Sequence, residues 1–226
     1  MGDNMGELGR FKKLLGGLGK RLYNWKETKE SMNFLSFMYE TILEEYAGIF
    51  NGDYETAMDT LIDLVRPMSE EVVSKLLTEV KVLGIPFKTF ITQNAGDLPY
   101  IISTTLYAVF GAWSEKVFNK PVLIPASESA QRVDTIIITL NMCPFCCNTI
   151  IPKQALGTHN YGKLLTLTIE QMVQTMEDYA GNDYMVVARE LKCFLNGDSH
   201  GELQVWLYPR NQLDLMEQNP YLKSIK

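Results

Sequence analysis

At 226 residues, 46% apolar and 21% charged, the chain is long enough to bury one sizeable core and ordinary in composition for a soluble globular protein. Its net charge of −6 argues against nucleic acid as the main partner, since neutralising phosphates needs a basic face. No apolar run approaches the ~18 residues of a membrane span; residues 99–113 come nearest and include Ser and Thr.

Residues 1–26 form a Gly-rich, basic leader in which Lys12, Lys13, Lys20 and Arg21 interleave with Phe11, Leu14, Leu15, Leu18 and Leu22. Two readings stand: a frayed terminus docked on the body, or an interfacial segment drawn to anionic lipid. The leader has no signal-peptide core, so the expected location is cytoplasmic, peripheral at a membrane on the second reading. Residues 27–210 form the main domain and 211–226 a polar tail.

The span 29–50 has helical periodicity, with Phe34, Phe37, Met38, Thr41, Ile42 and Ile49 as the stripe expected to face the core. Asn51-Gly52 stops it and Asp53 caps a second helix carrying Ala57, Leu61, Ile62, Leu64 and Val65, which Pro67 closes. Ser69-Glu70-Glu71 starts a third, with Val72, Val73, Leu76, Leu77 and Val80. Asp97 caps a fourth over 100–118, apolar on most faces. Its Leu106, Phe110 and Trp113 line either the core or a hollow for an apolar ligand, since the small residues between them permit close backbone approach.

After Pro121 the chain turns to strands. Residues 122–125 are a short one, and the β-branched run 133–142 is a central one. Cys143-Pro-Phe-Cys146-Cys147 follows, then a helix over 167–180 that Gly181 ends. The closing stretch 181–209 reads as two strands around N-G-D-S-H-G, with apolar and polar residues alternating on both. Helices first, then a mostly antiparallel sheet with one packed helix, is an α+β layout.

Within that hairpin, Glu190, Cys193 and Gly197-Asp198 spell E-x-x-C-x-x-x-G-D behind an amphipathic helix. The pattern resembles the closing motif of the vinyl-reductase-like, or hydrocarbon-binding, domains, which share a fold with the small subunits of TRAPP tethering complexes. Family members often carry a second Cys after this turn; here His200-Gly201 stand there. The resemblance implies an apolar small-molecule binding or sensor module. The alternative it implies is a TRAPP-like scaffold that tethers near membranes, a homodimer or paired with a related subunit through its N-terminal helices.

Cys143-x-x-Cys146 has the spacing of a zinc knuckle, for which Cys193, His200 and, less readily, His159 are the remaining ligand candidates. The resemblance also implies zinc, because some family members draw cysteines from these two regions. The same thiols equally suit small apolar core residues or a redox pair. No G-x-S-x-G, H-E-x-x-H or phosphate-cradling Gly loop is present, so no catalytic activity is expected.

Overall fold

The computed structural model describes residues 32–79, 81–82, 85–143, 145–146 and 149–223. Lys12, Lys13, Lys20, Arg21 and Cys147 therefore lie outside the described residues. Helices α1 (Met32–Ile49) and α2 (Tyr54–Glu79) come first, then a minimal hairpin of β1 (Lys81–Val82) and β2 (Ile85–Pro86). Helix α3 (Leu98–Phe110) and the short α4 (Ser114–Val117) lead into β3 (Val122–Ile124) and β4 (Asp134–Leu140). Helix α5 (Lys163–Ala180), β5 (Tyr184–Lys192), β6 (Gly201–Pro209) and α6 (Asp214–Gln218) complete the chain. The four long strands form one antiparallel sheet in the order β3-β4-β6-β5, so the fold class is α+β.

Register sets the two faces. Ile136, Val205 and Ala188 lie in one row across β4, β6 and β5, and all three are fully buried. That row faces the main core, which Leu98, Ile101, Ile102 and Leu106 of α3 and Ile169, Met172, Val173 and Met176 of α5 complete. On the opposite face Val133, Val187, Trp206 and Tyr208 are covered by Leu215, Met216 and Leu222 of the tail. The polar tail is therefore part of the fold.

Strand β5 is an edge, and α5 runs beside it. Gln174 Oε1 accepts from Val186 N at 2.8 Å, and Glu170 Oε2 accepts from Ala188 N at 2.8 Å. Two side chains of the helix thus occupy ladder positions that a further strand would otherwise take.

Three expectations need correcting. Pro67 does not close a helix: α2 runs through it to Glu79. Proline removes one N–H, toward the Asp63 carbonyl, but Pro67 and Asp63 are both exposed, so the freed carbonyl lies on the wet side. Apolar anchors on either side, Leu61 and Ile62 before and Val73 and Leu77 after, keep the helix on the body. The helix over 100–118 is instead split at Gly111, which takes φ 61°, a conformation costly for any other residue. Finally, the core-facing stripe assigned to α1 points outward. Phe37, Met38, Ile42 and Ile49 are exposed, while Tyr39, Leu43 and Ala47 are buried, because that second helical row packs with Ala57, Met58 and Leu61 of α2.

Glu177, in the last turn of α5, is buried, and its Oε2 accepts from Asn182 Nδ2 at 2.7 Å. Burial, against that hydrogen bond, pushes its carboxyl up from 4.5 to about 7. A folded pKa above the unfolded one means the native state binds the proton more tightly, so stability falls as pH rises from about 4.5 to about 7. Glu177→Gln keeps an accepting oxygen and removes the buried charge. It is expected to raise stability by on the order of 1–3 kcal/mol at pH 8 and to change little near pH 4. Thermal melts at the two pH values check this; an equal effect at both would exclude the titration.

Candidate functional site

Two strand ends and one turn converge on one buried point. Cys143 follows β4, Cys193 follows β5, and Cys146 sits in the turn between β4 and α5; all three are free thiols and all are buried. Tyr39, Leu43, Met58, Leu61, Leu156 and Tyr161 surround them. Cys193 has extended backbone and donates its N–H to Asp198 Oδ2 at 2.9 Å, so the G-D turn of the motif fixes the sulfur's position.

The sulfurs act on one another. Hydrogen bonding from Cys146 holds the Cys193 thiol well below its ordinary range, with the Leu195 N–H, Glu190 and Lys153 adding to the effect against burial. Cys146 also lowers Cys143, while Cys146 itself is pushed far up and keeps its proton. The proton is thus shared outward from the middle thiol. Glu190 closes the group: burial first, then the charges of Cys193 and Cys143, raise its carboxyl to about 9, and its Oε2 is buried without a hydrogen-bond partner among the described residues. Among the described residues no three His, Cys, Asp or Glu side chains are spaced to hold a metal ion; the sulfurs hydrogen-bond to each other instead.

The structure brings together Cys143, Cys146 and Cys193 but takes the histidines elsewhere. His200 Nε2 stands 3.1 Å from Lys192 Nζ and its Nδ1 3.1 Å from Ser199 Oγ. His159 Nε2 stands 2.9 Å from Asp59 Oδ1. Of the group around the sulfurs, sequence reasoning noted Glu190 only as a motif member. Its spacing three before Cys193 was the available signal, because a bulge between Glu190 and Lys192 shifts the register before the strand end.

Leu106 is buried in the main core, with Phe110 and Trp113 packed against it. The Phe110 and Phe118 rings lie 5.7 Å apart, and Lys116 Nζ sits 4.6 Å from the centre of the Trp113 ring. Leu106 also borders a surface pocket with Tyr100, Ser103 and Phe118. Among the described residues no helix is long and apolar enough to cross a membrane.

These features define a small α+β domain with an antiparallel sheet, helices on one face, a tail on the other, and a buried cysteine cluster at one end. No protein-family profile and no curated protein matches the chain. Among solved structures it is similar to trafficking protein particle complex subunit 3 from Naegleria fowleri, in a crystal structure covalently bound to palmitic acid. The match has 16% identity, covers 77% of this chain and 98% of that one, and has a TM-score of 0.44. A likeness at this level assigns neither the acyl chain nor the assembly to this protein.

Proposed function

We propose that the chain is a non-catalytic interaction module that pairs with a second copy, or with a related subunit, through the outward faces of its N-terminal helices. One observation carries this reading. Seven of the thirteen exposed large apolar side chains among the described residues lie on α1 and α2. Leu64, Met68 and Val72 recur every four residues, one stripe along α2, and Met38, Ile42 and Ile49 form another along α1. Contiguous exposed apolar surface of this kind marks contact sites. The apolar-ligand reading is weaker, because Leu106, Phe110 and Trp113 are engaged in core contacts. Mass measurement of the intact chain across a concentration series tests the proposal, and a dimer mass at micromolar protein is expected. A monomer throughout would refute it.

For the three thiols we propose a structural zinc, with Glu190 in the place expected for His200. The support is the chemistry of the donor set, three buried sulfurs and a carboxyl with a buried, unsatisfied oxygen, which would have to draw together because as they stand no three are spaced to hold an ion. Binding would draw the sulfurs to about 2.3 Å from one ion and exchange the thiol hydrogen bonds for metal bonds. It would also tie the end of β4 to the end of β5, so metal affinity would appear as folding stability. Protein prepared without chelator is expected to hold one zinc per chain, lost with a fall in melting temperature on Cys193→Ser. Zinc-free protein from zinc-replete expression would leave the cluster as a hydrogen-bonded core.

A further inference from the structure

A second pocket, of about 410 Å³, opens where the start of α5 meets the edge strand β5 and the C-terminal tail. Its charged walls are Lys163, Arg189 and Glu190, with Thr158, His159 and Asn160 at one side and Leu191, Pro220 and Tyr221 at the other. That volume falls within the roughly 300–1,000 Å³ range of small-ligand sites.

Its cations are only partly matched. Lys163 makes no ion pair among the described residues, and Arg189 adds a second cation. The carboxylate nearest Arg189, Glu170, is 3.7 Å from its Nη1 and already accepts the Ala188 N–H at 2.8 Å. Arg189 Nη1 donates to the Ala188 carbonyl, while its Nε is buried with no partner among the described residues. Asp59 is taken by His159. Glu190 borders the pocket, but its carboxyl packs on the Gly162 backbone, where a Cβ would come within 2.7 Å of Oε1, and hydrogen-bonds to Cys193 on its other side. Lys163, which makes no ion pair among the described residues, and Arg189, paired with Glu170 at 3.7 Å but with an unmet Nε donor, thus share one cavity with the Glu190 carboxyl at its edge. The pocket also lies at the start of an 18-residue helix whose cap is Gly162, a residue with no side chain to satisfy the first-turn donors.

We infer that this pocket binds a small phosphate monoester, its phosphate between Lys163 and Arg189 and its organic group against Pro220 and Tyr221. A dianion matches two cations, and charge-assisted contacts to Arg Nε and Lys Nζ are the strong class of hydrogen bond. The apolar wall leaves room for a ring or short chain beyond the phosphate. This inference does not rest on the proposed pairing, whose apolar stripe on α2, Leu64, Met68 and Val72, includes no pocket residue.

Calorimetric titration of the full chain with phenyl phosphate tests it. Saturable binding is expected, weakened by roughly ten-fold or more in Lys163→Gln and in Arg189→Gln, as loss of one charged hydrogen bond predicts. Lys88→Gln, an exposed cation on the loop after β2, should bind as the parent does. Benzoate, a monoanion with the same ring, should bind more weakly. Melting curves of each variant confirm that the fold is retained. No saturation at ~10 mM phenyl phosphate, affinity unchanged by both substitutions, or benzoate binding as tightly would overturn the inference. So would binding to phosphatidic-acid vesicles with none to the soluble ester.

Discussion

Trp206→Ala is expected to cost about 3–5 kcal/mol of unfolding free energy, the largest effect of any single substitution on the tail-covered face. Trp206 is fully buried, lies opposite Thr135 on β4 and Val187 on β5, and packs with Val133 and Tyr208. Its ring also stacks on Tyr221 at 6.1 Å between centres. The neighbouring Tyr208 hydroxyl accepts from Asn219 Nδ2 at 2.7 Å, so the same face anchors the tail twice. Alanine would leave a cavity and release the tail together, and limited proteolysis should then clip residues after Pro209 sooner. Trp206→Phe should differ sharply. The indole Nε1 is buried with no hydrogen-bond partner among the described residues, a state that costs roughly 1–3 kcal/mol. Phenylalanine keeps a stacking ring and removes that donor, so its net cost should stay below about 1.5 kcal/mol. Denaturant unfolding of the two variants decides the matter; equal losses would mean the indole donor is satisfied or the cavity collapses.

The sequence made the sheet and the face of α5 legible and misplaced the face of α1, for a physical reason. Strand alternation has a period of two, and β-branched residues at 133–142 and 184–188 left little choice of which side was buried. Helical faces are less determined. On α1, Met38, Ile42 and Ile49 make one apolar row and Tyr39, Leu43 and Ala47 another, and only packing against α2 decides between them. Asp97 shows the same limit at a helix start. It stands before α3 as expected but makes no side-chain cap hydrogen bond, and Thr92 Oγ1 donates to its Oδ2 at 3.1 Å instead. At the thiol site, C-x-x-C and E-x-x-C each announced a local spacing. Their meeting depended on β4 and β5 ending at the same edge with β6 between them, which is a property of strand order. Lys163 and Arg189 carried no signal at all, being separated in the chain and joined only by α5 lying along β5.

The rejected row on α1 and the exposed stripe on α2 lead to the second expected result: Met68→Glu should weaken pairing by at least about 100-fold. Met68 is 62% exposed and centres the stripe Leu64, Met68, Val72. Two copies of α2 set antiparallel about Met68 would place Leu64 of one opposite Val72 of the other. A two-fold interface requires such self-complementarity, and this stripe has it in its apolar positions. Glutamate at the centre would face its own copy across the axis, and like charges so placed cost several kcal/mol. The fold should be unharmed, because the side chain is mostly in solvent, so circular dichroism and melting temperature are expected to match the parent. Sedimentation equilibrium of the parent and the variant measures the change. Pairing that survives Met68→Glu would move the contact off this face of α2.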